Sequence, residues 1–265
     1  MNQKIQHTVF FKLAFYILFS TVVLIPGNVQ AVRPGVPGKS RTRIKVEYFK
    51  KGDNSKEIKA TVAARVKRHR VPLQNVTVSL YDETDSSKLA GRATTNKKGV
   101  AVFTLPADYP VGNEESPSVF TVRFDGNEQF KAAAKKIEVK DVLLQAKYKV
   151  VDSAYTIEVT ANEMVNGKPG KPVSDMDVYV YVKRLFSLLK VGDGWLQDGK
   201  ATITIPNNIP GDYQNQNLEL VTMIPEADDY GTVEINKTMH WGAPPPQYPK
   251  YDSVDKRALW EPRAP

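Results

Sequence analysis

Asn96–Pro106, NKKGVAVFTLP, returns one hundred residues later as Gln197–Pro206, QDGKATITIP. Gly99 falls on Gly199, Val102 on Thr202, Leu105 on Ile205 and Pro106 on Pro206. In each copy a glycine-containing turn leads into a run alternating between apolar and polar, and a proline that cannot continue a paired strand ends it. The stretch reads as one strand of a repeated β unit.

The same offset holds elsewhere. Pro72–Val78 (PLQNVTV) maps on Pro172–Val178 (PVSDMDV), Tyr48 on Tyr148, Phe120 on Leu220 and Phe130 on Tyr230. A period of one hundred residues is too long for a solenoid unit and fits one small β-sandwich. The fold class expected is all-β: two tandem sandwiches of about 100 residues each.

The chain has 265 residues, 41% of them hydrophobic, which suffices for two cores. It has no cysteine, so each core must hold by burial alone, and thiolate nucleophiles and thiolate metal sites are excluded. Residues 1–31 read as a signal peptide: Lys4 and Lys12 precede the apolar run Leu13–Ile25, and Val29-Gln30-Ala31 supplies small residues for cleavage near Ala31. Thirteen apolar residues fall short of the ~20 that span a bilayer, and no second run of spanning length follows. The mature chain is expected to be exported, without a transmembrane segment.

Charge divides unevenly. Lys39–Asp141 carries 21 basic and 13 acidic residues, whereas Val142–Gly242 carries 9 and 13. A basic module joined to an acidic one can orient against an anionic surface or against its own neighbour.

Residues 32–42, rich in Pro, Gly and cations, read as a flexible arm. Residues 43–141 form a first domain of about seven strands at regular spacing. Residues 142–242 repeat the plan, with strands expected at 143–150, 155–161, 177–183, 201–205, 218–224 and 232–238. Between the domains, Val139–Ala146 (VKDVLLQA) has neither Gly nor Pro, which favours a fixed angle over free tumbling. Residues 243–265 read as a Pro-rich tail ending in the short apolar element Ala258-Leu259-Trp260.

Three spacings carry a family resemblance: x-P-L-x-x-V-x-V-x-L at Val71–Leu80, T-N-x-x-G-x-A-x-F-x-L-P at Thr95–Pro106, and F-x-V-x-F-x-G-N-x-x-F at Phe120–Phe130. They resemble bacterial Ig-like repeats of exported adhesins, surface-layer proteins and envelope accessory modules. The resemblance implies Ig-like sandwiches over residues 43–240 that serve as spacers or interaction modules, with no shared catalytic residue. The second copy departs from it, with Trp195-Leu196 in place of Thr95-Asn96 and LELVTMIPEADDY at Leu218–Tyr230. Periplasmic pilus chaperones also pair two Ig-like domains with a signal peptide and a basic charge, and form a minor alternative. Their paired Arg and Lys anchors have no evident match here.

Enzyme chemistry finds no support in the residues. The mature chain would keep only His69 and His240, 171 positions apart, and it has no nucleophile elbow, zinc-protease helix or P-loop. Glu226, Asp228 and Asp229 cluster in one loop but lack the spacing of a calcium loop, so no metal or cofactor is expected. Two surfaces carry binding readings. Tyr179 and Tyr181 alternate with Val178, Val180 and Val182 and therefore point outward, either as a sugar platform or interface centre, or packed under a loop. Beside them Leu185, Phe186, Leu188, Leu189 and Trp195 replace the polar DETDSS of the first copy, and Trp260 adds a tryptophan in the tail. The second surface is the basic run Arg65, Lys67, Arg68, His69 and Arg70, read as a solvated hairpin tip or as a contact for an anionic polymer.

The function these readings favour is a non-enzymatic interaction or scaffold module of a bacterial envelope assembly, in the periplasm or at the cell surface, with a protein partner. The alternative is a binding module for an anionic polymer or polysaccharide. Nucleic acid is not expected as a partner, since no aromatic set interleaves the charges.

Overall fold

The computed structural model describes residues 38–84, 86–113, 115–165 and 167–244. The stretch read as a signal peptide, the arm up to residue 37 and the tail from residue 245, including Trp260, lie outside the described residues. Eight strands fill the first half: β1 (Thr42–Lys51), β2 (Lys56–Val66), β3 (His69–Pro72), β4 (Thr77–Asp82), β5 (Lys88–Thr94), β6 (Val100–Leu105), β7 (Ser118–Phe124) and β8 (Ala133–Val139). Eight fill the second: β9 (Val142–Val151), β10 (Ala154–Val165), β11 (Lys168–Pro172), β12 (Met176–Lys183), β13 (Leu188–Leu196), β14 (Lys200–Ile205), β15 (Leu218–Ala227) and β16 (Gly231–Met239). The fold is all-β, and no helix among the described residues is long and apolar enough to cross a membrane.

Seven strands per half is therefore an undercount, and the second half's β11 and β13 escape the sequence reading altogether. The physical reason is local. Every residue of β3 (HRVP) and β11 (KPGKP) is exposed, so neither strand shows an apolar alternation. In β13 (LLKVGDGWL) two glycines mimic a turn.

The two halves repeat each other strand for strand. In the first, β2 pairs with β1 on one side and with β6 and β3, end to end, on the other, opposite a sheet of order β5-β4-β7-β8. In the second, β10 pairs with β9, β14 and β11 in the same way, opposite β13-β12-β15-β16. Alternation sends one set of side chains from both sheets into a shared core. Ile58, Val62, Val78, Leu80, Phe120 and Val122 are fully buried in the first half, and Ile157, Ala161, Val178, Val180, Leu218 and Leu220 in the second. Each large apolar side chain so buried contributes roughly 1.5–3 kcal/mol, which is the stabilisation available to a chain without disulfides.

The glycine of the repeated stretch marks where two strands meet beside one. Gly99 has φ +74° and Gly199 φ +72°, and their carbonyls accept the amides of Val62 and Ala161 at 2.8 Å in both copies. A Cβ at Gly99 would stand 2.6 Å from the Val62 oxygen, and one at Gly199 2.7 Å from the Ala161 oxygen. Left-handed backbone and a neighbouring carbonyl together demand glycine here. Pro106 and Pro206 then close the strand, as read.

The halves are joined by more than the chain. Only Lys140 and Asp141 separate β8 from β9. β16 runs parallel to β1, with Phe49 opposite Thr232, Lys50 opposite Val233 and Lys51 opposite Glu234. The β1-β2 sheet of one half and the β13-β12-β15-β16 sheet of the other thereby become one eight-stranded sheet. Beneath this seam Lys50, 5% exposed, ion-pairs with Asp141 and donates to the Val142 carbonyl at 2.9 Å. Tyr230 donates to the buried carboxylate of Glu163, and Lys140 Nζ donates to Asp229 at 2.9 Å. The Tyr48 hydroxyl is also buried, and burial, with the charge of Asp141, pushes its pKa up and keeps it neutral.

Two predictions follow from these contacts. Gly99→Ala and Gly199→Ala should each cost about 2 kcal/mol or more, strain plus clash, whereas Gly167→Ala, with a similar φ but open space around it, should cost only about 1 kcal/mol. Equal losses in urea unfolding would mean that the close approach contributes nothing. Asp141→Ala should cost about 3 kcal/mol because it strands a buried ammonium, and the double variant Lys50→Met/Asp141→Leu should recover most of that loss. Failure of the double variant to recover stability would show that a stranded Lys50 ammonium is not the source of the loss.

Candidate functional sites: an apolar hairpin tip and a basic groove

The β12–β13 hairpin is turned by Arg184–Ser187, closed by the Arg184 amide donating to the Ser187 carbonyl at 2.8 Å. The two residues between have nowhere to go but solvent. Leu185 is 86% exposed and Phe186 93%. Arg184 fixes the base of this tip by donating from its guanidinium to the Pro210 carbonyl at 2.9 Å, which brings up the loop carrying Tyr213, 87% exposed. Leu185 and Asp212 line one shallow cleft between hairpin and loop. Tyr213 belongs to this surface and escapes the sequence reading, because the loop that carries it shows no period and reaches the tip only through the fold.

The other residues singled out in this region are divided by strand alternation. Asp177, Tyr179, Tyr181 and Lys183 of β12 lie opposite Trp195, Asp193, Lys190 and Leu188 of β13, across a bulge at Val180/Tyr181. These residues share the sheet's outer face, while Val178, Val180 and Val182 fill the core. Leu189 lies opposite Val182, so it sits on the core side at the open rim, half exposed. Leu188 and Trp195 share the face of the tyrosines.

That face is internally tied. The Tyr179 hydroxyl donates to Asp177 at 3.1 Å, a bond that raises the tyrosine pKa. Lys190 Nζ stands 4.0 Å from the Tyr179 ring centre and pairs with Asp193 at 3.2 Å. The rings of Tyr179 and Tyr181 meet edge to face, 87° apart with centres at 6.1 Å. Perpendicular rings make no single flat platform, so the arrangement fits a protein contact better than a sugar stack.

The basic run folds into the β2–β3 hairpin. Lys67 and Arg68 both take positive φ, 45° and 74°, as a two-residue turn of the primed type requires. Arg70 is thereby set opposite Arg65, and His69 opposite Val66 on the other face. Beyond Arg65, the Arg41 carbonyl accepts the Arg65 amide at 3.0 Å, so Arg41, Arg65 and Arg70 form a row from the lead-in to β1 across β2 to β3. An open groove of about 700 Å³ is lined by this row together with Arg43, Arg68 and Lys135, over a floor of small residues including Ala63, Ala133 and Ala134. Lys67 and His69 stay out of the groove lining. Arg41, Arg43 and Lys135 enter it, from the residue just before β1, from β1 and from β8. Their part was not legible as a run, since the three reach the hairpin only through strand register.

The two histidines do not meet in a common site, and among the described residues no three His, Asp or Glu side chains gather as a metal-holding group. Asp229 of the acidic loop is engaged by Lys140.

Trp195 is 55% exposed on the outer face, whereas Trp241 is 6% exposed and stacked on Tyr155 at 4.6 Å. In a Trp260→Phe background, acrylamide should quench Trp195 emission strongly and leave Trp241 largely protected. Trp195→Phe should remove the quenchable component. A protected Trp195 would mean that the outer face is covered in solution.

No protein-family model matches the chain, and no curated protein sequence is similar to it. Among solved structures, it is similar to a crystal structure of a protein of unknown function from Porphyromonas gingivalis W83, at 10% identity, over 74% of this chain and 99% of that one, with a TM-score of 0.18. A likeness at that level carries no argument about fold or function.

Proposed function

We propose that the chain is a non-enzymatic, exported interaction module of a bacterial envelope assembly: two Ig-like sandwiches fastened into one body, which offers the β12–β13 tip to a protein partner. The leader at residues 1–31 supports export. The division of each half into a β1-β2-β6 type sheet and a β5-β4-β7-β8 type sheet, antiparallel throughout within the half, supports the Ig-like reading.

The observation that carries the functional reading is the exposure of adjacent Leu185 and Phe186 at 86% and 93%. Two large apolar side chains at a tight hairpin tip add nothing to the core of their own chain. Each gains free energy only when another surface removes it from water. A partner with an apolar pocket flanked by hydrogen-bonding rim groups fits this tip, since Tyr213, on the loop that Arg184 holds to the base of the hairpin, is a residue type that anchors protein interfaces.

Tagged mature chain should retain a stoichiometric protein from gently solubilised envelopes, and the complex should survive high salt because apolar burial is not screened. Leu185→Asp/Phe186→Asp should abolish retention while leaving the melting temperature unchanged, as both side chains are exposed. Equal retention by the double variant would remove the tip from the interface.

A further inference from the structure

We propose that the groove on the first half is a binding site for an acidic polysaccharide, held by Arg41, Arg43, Arg65, Arg68, Arg70 and Lys135. All six line it, and no carboxylate among the described residues does. Among the described residues none of the six forms an ion pair, although carboxylates elsewhere pair freely with other cations. Arg65 and Arg70 stand directly opposite each other across β2 and β3, an arrangement of like charges that opposes folding. An anionic occupant relieves that repulsion.

The second half serves as an internal control for what the fold itself requires. The hydrogen bond from the Arg65 amide to the Arg41 carbonyl is repeated by the Met164 amide and the Asp141 carbonyl. By the same register Arg43 corresponds to Leu143, since Arg43 pairs with Ala63 and Leu143 with Asn162. Lys135 corresponds to Ile235, opposite Val122 and Thr222 respectively. The same architecture is thus built with Asp, Leu, Met and Ile where the groove has Arg, Arg, Arg and Lys. The cations are not a demand of the sandwich.

Geometry selects the ligand class. Adjacent strands lie about 4.8 Å apart and alternate residues along a strand about 7 Å apart, so the cations spread over a field roughly 10 Å by 7 Å. That exceeds what one oxyanion can touch, and it suits a chain with repeated anionic groups. Five of the six cations are arginines, whose planar guanidinium takes carboxylate or phosphate oxygens two at a time. The alanine floor leaves room for the chain itself. No aromatic ring among the described residues lines the groove, so it offers none of the stacking that single-stranded nucleic acid uses, and its concave shape offers no apolar wedge to a membrane.

The test measures binding of the full mature chain to polygalacturonate, inorganic phosphate, a single-stranded oligonucleotide and phosphatidylglycerol vesicles, at low and at raised salt. Polygalacturonate should bind at low salt and weaken as salt rises. Arg65→Thr/Arg70→Thr, both exposed positions in strands, should weaken it about tenfold, as expected for two lost charge-assisted contacts. The control Lys88→Thr/Arg92→Thr removes equal charge from β5 and should change it less than about twofold. Equal losses in both variants, no polygalacturonate binding by the unmodified chain, or oligonucleotide, phosphate or vesicles bound as tightly as polygalacturonate would each overturn the assignment.

Discussion

The parallel seam between β1 and β16 is the constraint on which the arrangement of the molecule depends. Two sandwiches joined by only two residues would otherwise pivot at Lys140-Asp141. Three residue pairs of parallel ladder make a short contact, weaker per residue than antiparallel pairing. What makes the seam specific is the charge beneath it. Lys50 is withdrawn from water and finds compensation in Asp141 and the Val142 carbonyl, both at the junction itself. Any rotation of one half against the other would separate a buried ammonium from its carboxylate, which is costly out of proportion to the area involved. A hydrophobic seam of equal size would tolerate small slides; a buried ion pair penalises them.

The duplication shows how the seam was built on one repeat and not the other. Position 50 is Lys in the first copy, and its counterpart Val150 lies half exposed at the end of β9. Position 141 is Asp at the junction, while its counterpart Trp241 is buried against Tyr148 and Tyr155 at the far end of the second half. The hydroxyls diverge in the same way. Tyr148 meets the Thr222 hydroxyl at 3.2 Å, and the position equivalent to Thr222 in the first half is Val122, which leaves the Tyr48 hydroxyl without a hydrogen-bond partner among the described residues. The repeated core fixes each half; the exceptions to the repeat fix how the two halves meet.

Those exceptions also mark the limit of what the linear chain reveals. Strands with one buried face, such as β4, β6, β12 and β14, announce themselves by alternation, and the glycine-to-proline stretch is read in both copies with the correct turn and stop. β3 and β11 carry no such mark, because they are short edges exposed along their length. The candidate sites divide by the same rule. Leu185 and Phe186 are legible because their neighbours in sequence are their neighbours in space. The groove is half legible: Arg65, Arg68 and Arg70 are local, but Arg41, Arg43 and Lys135 arrive through register between β1, β2 and β8. His69 drops out because alternation turns it to the other side, and Lys67 because it sits in the turn itself.

The placement of charge and apolar surface then follows from the seam. A chain whose first half is strongly cationic and whose second half is anionic would, if its halves were free, fold its own charges together and quench both surfaces. The fixed junction prevents that collapse. Among the described residues, ion pairs join Lys45 to Glu226, Lys50 to Asp141 and Lys140 to Asp229 at or near the seam, and none of these involves an arginine of the groove. Held at this geometry, the acidic half cannot serve as an internal ligand for the groove, which stays available to an anion from outside. Rigidity at the junction is therefore the condition under which a basic groove and an apolar tip can coexist, each on its own half and each open to solvent.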